Sequence, residues 1–395
     1  MQSRQRGAHP AFFGFSGNPW FGDTVTTMNL EGEMNPLEST APGWSPADVD
    51  ALVVLSFGAP EGPEDIRPFL ENVTRGRGIP PERLDEVGQH YNHFDGLSPL
   101  NELNREIIFN VEEELRRRGW DLPVYFGNRN WKPYANDVAL ELSRDGVRKA
   151  VVFATSAWGG YSGCKQYDED IQAMREAQGA AGFEQTDFFK SRQFFDHPAF
   201  IELNAQAIAD AYGRLPEAFR ESARLVFTAH SIPVRADAAS GTKADGNLYS
   251  RQVAEAARLV AAKAGISDYE VVWQSASGDG TVPWLEPDIL DHEQSLHDAG
   301  VGAMVVCSVG FISDHMEVVW DLDHELAAQA KEHGMLVERA ATVGPRPEFA
   351  KMIVDLIGES LAPETAKHSG CVASKGCSLN GAVCEPGCCP TRPRR

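Results

Sequence analysis

Short apolar runs alternate with amphipathic stretches along most of the chain. Each run contains mainly β-branched and other apolar residues, and each is followed by a stretch in which apolar residues recur with helical spacing. Continuous apolar strands that are joined by helices are typical of parallel sheets covered by helices on both faces. The pattern therefore predicts a doubly wound α/β protein with strands at 51–57, 123–127, 150–154, 223–229, 270–274 and 303–309.

The order of these runs indicates two domains of similar construction. A chain of 395 residues is long enough for two compact domains, and a less regular stretch at 179–198 interrupts the series. We place the change of domain near Trp158, which gives Rossmann-like domains at 47–157 and 158–345. The apolar helix that follows, at 346–362, is expected to return to the first domain.

The two ends of the chain lack the pattern of a folded domain. Residues 1–46 show no periodicity and are expected to form a flexible extension. In residues 363–395, Cys, Gly, Pro, Ser and basic residues dominate, so this tail offers no apolar face to bury. We expect the tail to be unstructured unless something cross-links it.

One long helix can be delimited from its boundary residues. Ser98 is a favourable N-cap, Pro99 suits the first helical position, and Gly119 suits the position after a helix end at Arg118. The sequence therefore predicts a helix that Ser98 caps and that ends at Arg118.

The chain is strongly acidic, with a formal net charge of −21 and a pI near 4.9. Nucleic acids and anionic membrane surfaces would repel such a protein, so neither is an expected partner. No run approaches the ~20 apolar residues of a spanning helix, and prolines and glycines interrupt residues 8–20, unlike a signal peptide. We expect a cytoplasmic monomer without stable membrane insertion.

The cysteines are unevenly distributed. Cys164 and Cys307 lie in the body of the chain, whereas the others crowd its last residues, at Cys371, Cys377, Cys384, Cys388 and Cys389. A secreted disulfide framework would spread its pairs through a small domain. A terminal cluster in a chain without an export signal favours a metal site instead.

A histidine stands at the end of a predicted strand in the sequence FTAHSIP, at 227–233. Ligands bind at the carboxyl ends of strands in open α/β sheets. Imidazole titrates near neutral pH and binds intermediate metals, so His230 is a candidate metal ligand or general base. The alternative is a structural histidine that caps the strand through hydrogen bonds.

Three acidic residues recur every four positions in the segment 309–325. If this segment is helical, Glu317, Asp321 and Glu325 lie on one face of the helix. A ladder of carboxylates would attract a hydrated divalent cation and pass it inward. The alternative is a solvated acidic face, but the apolar residues between the acids favour a partly buried helix, where unpaired carboxylates are costly.

Six segments, taken in order, resemble the ferrochelatase family over about residues 50–361. The resemblance implies a chelatase-like fold with a porphyrin cleft between two domains, and a lyase that inserts Fe²⁺ into a porphyrin during haem biosynthesis. The segments are LSFGAP at 55–60, NVTRGRG at 72–78, FDGLSPLNELN at 94–104, FTAHSIP at 227–233, WQSASG with PWLEPD at 273–288, and VGFISDHMEVVWDLDHE at 309–325.

The same resemblance assigns roles to the candidate residues. It maps the catalytic, metal-handling pair of the family to His230 and Glu317, and an acidic metal path to Asp321 and Glu325. Metal insertion needs a base for the pyrrole protons and a ligand for the dehydrating ion. We expect His230 to bind iron and accept protons, with Glu317 helping in both roles.

The porphyrin contacts are likewise implied by the resemblance. Phe57 occupies a position where some coproporphyrin-using relatives carry an iron-ligating tyrosine, so an axial phenolate is not expected. The acidic body and the cysteine tail are more similar to the actinobacterial enzymes, which implies coproporphyrin III as substrate and leaves protoporphyrin IX open. The implied porphyrin-binding residues are Phe57, Arg75, Tyr91, Ser98 and Tyr167.

In the actinobacterial subgroup, one internal and three terminal cysteines hold a 2Fe-2S cluster. Cys164 matches the internal position, and four thiolates are the usual requirement for such a cluster. Among the tail residues we favour Cys377, Cys384 and Cys388, with Cys389 next. A zinc site or idle thiols are the alternatives, and Cys307 is expected to belong to the core.

Other functions remain possible for the same residues. A chelatase for another divalent metal would use the same imidazole and carboxylate. A haem or iron carrier could use the same cleft, although a carrier does not need an acidic path. A two-domain periplasmic binding protein is disfavoured because no signal sequence precedes the fold.

Overall fold

Two parallel sheets form the framework of the protein, so the predicted α/β class is confirmed. The computed structural model describes residues 48–76, 78–277 and 281–390; the predicted N-terminal extension and the end of the tail lie outside them. The strands are β1 (Ala51–Ser56), β2 (Val124–Asn128), β3 (Lys149–Ala154), β4 (Asp187–Lys190), β5 (Arg224–His230), β6 (Tyr269–Gln274), β7 (Ala303–Cys307), β8 (Leu336–Ala340) and β9 (Ser378–Leu379).

The first sheet has the strand order β2-β1-β3-β4-β9. All six residues of β1 are buried, because β1 lies between β2 and β3 and helices cover both faces of a parallel sheet. In the pairing register, Leu52 lies opposite Val124 on one side and opposite Val151 on the other. The apolar run that predicted this strand therefore reflects burial on both faces.

The second sheet has the strand order β6-β5-β7-β8. Its central strand β5 pairs in parallel with β6, and the last register pair joins His230 to Gln274. His230 therefore stands at the carboxyl end of the central strand, which is the edge where ligands bind in such sheets.

Helices connect the strands and cover the sheets. Two segments, Tyr161–Lys165 and Val319–Leu326, have π-helical geometry, which is frequent at functional sites. The α-helices are α1 (Pro63–Val73), α2 (Pro81–His93), α3 (Leu100–Arg117), α4 (Ala135–Arg144), α5 (Gln166–Ala180), α6 (Pro198–Arg214), α7 (Glu217–Arg220), α8 (Val234–Ala238), α9 (Leu248–Ala264), α10 (Ile289–Asp298), α11 (Met316–Val318), α12 (Ala327–His333) and α13 (Pro347–Leu361).

The first sheet extends further along the chain than the sequence suggests. Strand β4 pairs with β3 in parallel, although it lies within the stretch 179–198 and beyond the boundary expected near Trp158. A strand of four residues with a terminal lysine carries too weak a pattern to be read alone. The sheet pairing therefore corrects the boundary, because residues 187–190 belong with the first sheet.

The cysteine-rich tail is also more ordered than expected. Strand β9 pairs with β4 in an antiparallel register that sets Ser378 opposite Lys190. The backbone of the tail is held by further contacts, such as the hydrogen bond from the Gln193 N–H to the Lys375 carbonyl, at 2.8 Å. The expectation made order in the tail depend on a cross-link, but a sheet edge and buried polar groups also anchor it without an apolar face.

Two helices near the ends of the main fold lie against each other. Helix α13 packs on α3, and an ion pair of 2.8 Å joins Arg118 to Asp355. Helix α3 begins at Leu100, with Pro99 in the N-cap position and no side-chain cap. The prediction that Ser98 caps this helix is therefore wrong, whereas the predicted end at Arg118 is close to the observed one.

No helix within the described residues is long and apolar enough to cross a membrane.

Candidate active site and cysteine cluster

Two hydrogen bonds hold His230 in place, one from its imidazole and one to its backbone carbonyl oxygen. Its Nδ1 donates to the Ser231 carbonyl oxygen at 2.5 Å, because a carbonyl can only accept. The Tyr249 hydroxyl donates to the His230 carbonyl oxygen at 2.7 Å. Because Nδ1 bonds to Ser231, Nε2 is the ring nitrogen left to meet Glu317.

The Nε2 atom of His230 meets the carboxylate of Glu317 at the start of α11. The distance from Nε2 to Oε2 is 3.2 Å, and the side chains are 37% and 55% exposed. Burial opposes charge on His230, but the hydrogen bond and the negative charge of Glu317 raise its pKa above the ordinary value. The same pairing overcomes burial and lowers the pKa of Glu317 to about 2. Each member of the pair therefore favours the charged form of the other, and both side chains are accessible.

Asp321 lies in the π-helix, and its pKa is shifted in the direction opposite to that of Glu317. Its Oδ2 accepts hydrogen bonds from the Ser275 hydroxyl and from Gln274, the latter at 3.2 Å. Burial raises the pKa of Asp321 to about 6; the Ser275 hydrogen bond opposes this, while Glu317 and Glu325 add to it. The three carboxylates are thus close enough to interact, as the spacing of four predicts.

The residues matched to porphyrin contacts differ in exposure. Phe57 is 41% exposed and its ring packs edge-on against Phe69, and Arg75 is exposed. Tyr91 and Tyr167 are buried, and the Arg129 guanidinium lies 4.6 Å from the centre of the Tyr167 ring. Tyr167 is therefore covered by protein atoms in this structure.

Ser98 is a buried polar group without a hydrogen-bond partner among the described residues. It is 7% exposed, and its hydroxyl makes no hydrogen bond. A buried hydroxyl without a partner is costly, so this group is suited to a ligand that supplies one.

Four thiols line a small cavity beside the start of α5. The Cys384 and Cys388 sulfurs are 3.6 Å apart, and the Cys388 and Cys389 sulfurs are 3.7 Å apart. A tetrahedral metal with metal–sulfur bonds of about 2.3 Å holds its sulfurs about 3.8 Å apart. The spacing therefore suits thiolates that share a metal. The cysteines lining the cavity are Cys164, Cys384, Cys388 and Cys389.

The remaining cysteines have different surroundings. Cys371 donates to Glu255 at 3.3 Å, outside this cavity. Burial raises the pKa of Cys377 to about 11; Arg192 and Lys190 lower it, and Cys384 and Cys164 raise it. Cys377 therefore lies next to the cavity without lining it. Cys307 is buried in β7, as predicted for a core residue.

The thiols are close together but are not yet arranged as a metal site. No three His, Cys, Asp or Glu side chains in the described part of the chain stand in an arrangement that could hold an ion. Hydrogen bonding among three of the thiols lowers the pKa of Cys384 and Cys389 and raises that of Cys388, so the thiolate form is favoured at Cys384 and Cys389. The donor set therefore fits a thiolate-bound metal centre.

Comparison with known proteins decides the family. The family model described as Ferrochelatase matches residues 49–361. The chain belongs to the ferrochelatase family. This confirms the predicted family and the enzyme class, a lyase, while the cysteine tail lies beyond the matched residues.

Curated members of the ferrochelatase family are similar over most of the chain. A coproporphyrin III ferrochelatase of Corynebacterium glutamicum (strain R) is 59% identical over 342 residues, which is 87% of this chain and 92% of that one. One of Corynebacterium diphtheriae is 58% identical over 354 residues, 88% of this chain and 96% of that one. A solved structure, SirB from Bacillus subtilis with Fe³⁺, aligns with 11% identity and a TM-score of 0.47, over 80% of this chain and 97% of that one.

Several residues around the ferrochelatase-like site were not identified from the sequence. His315 lies near both members of the pair, and burial lowers its pKa. Tyr249 supports His230, and Gln274 and Ser275 hold Asp321. The motif WQSASG contains the last two, but their contact with Asp321 depends on the packing of β6 against the π-helix. The roles of the predicted site residues stay predictions.

Proposed function

We propose that the protein inserts Fe²⁺ into coproporphyrin III and yields Fe-coproporphyrin III during haem biosynthesis. The observation that carries the proposal is the exposed pair of His230 and Glu317, joined over 3.2 Å at the carboxyl end of the central strand. The curated relatives that are 58% to 59% identical act on coproporphyrin III by name.

The pair can perform the proton transfer that metal insertion requires. Insertion exchanges two pyrrole protons for one Fe²⁺, so a base must accept protons next to the ring. The Nδ1 atom of His230 already donates to Ser231, so Nε2 is the atom that accepts a proton or binds iron. Glu317 stabilises the resulting imidazolium, which strengthens His230 as a base.

The acidic ladder supplies a route for the incoming ion. Oxygen ligands suit hydrated divalent ions, and Asp321 and Glu325 continue from Glu317 along the helix. Ionised Asp321 is destabilised by its burial and by Glu317, so a passing cation relieves an unfavourable charge. We assign Asp321 and Glu325 to the transfer of Fe²⁺ toward His230.

The substrate is tested by a competition between porphyrins. Purified protein receives ferrous iron anaerobically with either coproporphyrin III or protoporphyrin IX, and the visible spectrum of the product is followed. We expect a higher kcat/KM with coproporphyrin III. Preferential use of protoporphyrin IX would support the alternative substrate, and faster insertion of cobalt or nickel than of iron would support a chelatase for another metal.

We propose further that the cysteine cavity holds a 2Fe-2S cluster, bound by Cys164 and three tail cysteines. Such a cluster supplies a one-electron redox centre. The sulfur spacings and the lowered pKa values of Cys384 and Cys389 support a thiolate site. The cavity favours Cys384, Cys388 and Cys389 as the tail ligands, with Cys377 as the alternative to Cys389.

Metal content and absorbance test this site. We expect iron and acid-labile sulfide in the purified protein, with visible absorbance that Cys164→Ser abolishes and Cys371→Ser leaves intact. Comparison of Cys377→Ser with Cys389→Ser identifies the remaining ligand. Zinc without sulfide would favour the zinc site.

We also propose that the protein acts as a monomer in the cytoplasm. Light scattering measures the mass of the purified protein and tests the oligomeric state.

A further inference from the structure

A lysine is buried beside the cysteine cavity. Lys190 ends β4, and its side chain is 2% exposed. Burial of an ammonium group is costly unless the charge is paired and its hydrogen bonds are satisfied. The position of Lys190 therefore requires a compensating set of partners.

Each of the three donors of the ammonium group has an acceptor. The Nζ atom lies 2.6 Å from Oδ1 of Asp168, whose side chain is 3% exposed. It also donates to the Cys164 carbonyl oxygen at 3.0 Å and to the Cys164 sulfur at 3.2 Å. The Ser378 hydroxyl of the tail donates to the same oxygen of Asp168, at 2.7 Å. Lys190 thus connects the internal cysteine to the strand that anchors the tail.

The contact between Lys190 and the sulfur is weak when Cys164 is a neutral thiol. A thiolate bound to a metal carries negative charge, and a hydrogen bond from a charged donor to it is markedly stronger. The pair of Asp168 and Lys190 is therefore best matched to the metal-bound state of Cys164.

We propose that Lys190 is a positioning residue for the metal centre: it orients the Cys164 sulfur toward the tail thiols and raises the reduction potential of the bound cluster. The inference rests on the proposed 2Fe-2S site. Reduction adds negative charge to the cluster, and a fixed cation with a hydrogen bond to a ligand sulfur stabilises that charge. Asp168 acts in the opposite direction, since its carboxylate offsets part of the cation.

The two charges predict shifts of opposite sign. In the full-length protein, reconstituted anaerobically with iron and sulfide, Lys190→Met should lower the reduction potential. The expected change is about tenfold in the equilibrium constant for one-electron reduction, which corresponds to about 59 mV. Asp168→Asn, which leaves the cation without its partner, should raise the potential. Titration with a reductant, followed by visible absorbance, measures both shifts.

Two further variants separate this role from a structural one. Lys263→Met removes a positive charge that pairs with Glu202 and does not line the cavity, and it should change the potential little. The double variant Lys190→Met/Asp168→Asn leaves no unpaired buried charge, so it should fold even if Lys190→Met does not. Its potential should lie below that of Asp168→Asn. Circular dichroism verifies folding.

The outcomes distinguish the inference from the proposals on which it rests. Wild-type protein without iron and sulfide would overturn both the cluster and the role of Lys190, while the iron-insertion assay would remain a separate test of the enzyme. A wild-type cluster with unchanged potentials in the folded Lys190 variants would overturn the role of Lys190 alone. Shifts in the same direction for Lys190→Met and Asp168→Asn would also overturn it.

Discussion

Removal of the charge at Asp321 should make the metal-free protein more stable. The pKa of this group rises from 3.8 to about 6 on folding, with burial as the main cause. The unfolded state therefore loses its proton first, and the free energy of unfolding falls as pH rises from about 4 to about 6. At 1.36 kcal/mol for each pKa unit the shift corresponds to about 3 kcal/mol at neutral pH, or about 2 kcal/mol after solvent screening.

Asp321→Asn mimics the protonated carboxyl group and keeps an acceptor for the Ser275 hydroxyl. Urea denaturation with a chelator present should show a gain of about 2 kcal/mol at pH 7.5 and almost none at pH 4. Glu325→Gln, an exposed carboxylate on the same helix, serves as the control and should change stability by less than about 0.5 kcal/mol. Equal stability of Asp321→Asn and wild type at pH 7.5 would refute the reasoning. Iron insertion by Asp321→Asn should be slower than by wild type, because the substitution removes the negative charge that we assign to the transfer of Fe²⁺.

Two other substitutions test the site directly. Glu317→Gln should lower the pKa of His230, because it removes the charge that raises it; an NMR titration of the imidazole measures the change, and an unaltered pKa would contradict the pairing. Ser98→Ala removes a buried hydroxyl without a partner among the described residues, so stability should stay equal or rise. If the hydroxyl binds the porphyrin, as the family resemblance implies, KM for coproporphyrin III should increase; an unchanged KM would remove Ser98 from the substrate site.

The strands with continuous apolar sequences could be predicted in both sheets, because burial on both faces requires apolar residues throughout. Strand β1 is apolar throughout, and β5 ends in the histidine that the sequence identifies. Strands β4 and β8 lacked such a pattern. Strand β4 is short and ends in a lysine, while β8 lies at a sheet edge and carries Glu338 and Arg339, which suits an edge strand.

The acidic ladder was predicted from spacing, but its geometry was not. The carboxylates interact as expected, although the helix that carries Asp321 is π-helical rather than α-helical. Nothing in local spacing distinguishes the two, because a π-turn forms where packing requires an extra residue. Lys190 illustrates the same limit: its partners Asp168 and Cys164 come from another segment, so only the folded chain explains a buried lysine.

Order in the cysteine tail depends on contacts that composition does not encode. The tail lacks an apolar face, yet Arg192 donates to the Lys367 carbonyl oxygen at 2.7 Å and Ser378 donates to Asp168 at 2.7 Å. Such buried polar contacts replace apolar packing, and they are specific to the partners. The prediction considered apolar burial and a cross-link as sources of order, and it left these polar contacts out.

The central claim is that metal insertion depends on the Nε2 atom of His230, which accepts a pyrrole proton or binds the iron next to Glu317. The most direct measurement is the initial rate of ferrous iron insertion into coproporphyrin III under anaerobic conditions, for wild type, His230→Ala and His333→Ala. His333 pairs with the buried Glu293 in another part of the fold and serves as the control. We expect His230→Ala to lose at least about 100-fold in rate and His333→Ala to retain activity. A His230→Ala variant that inserts iron at the wild-type rate would contradict the account.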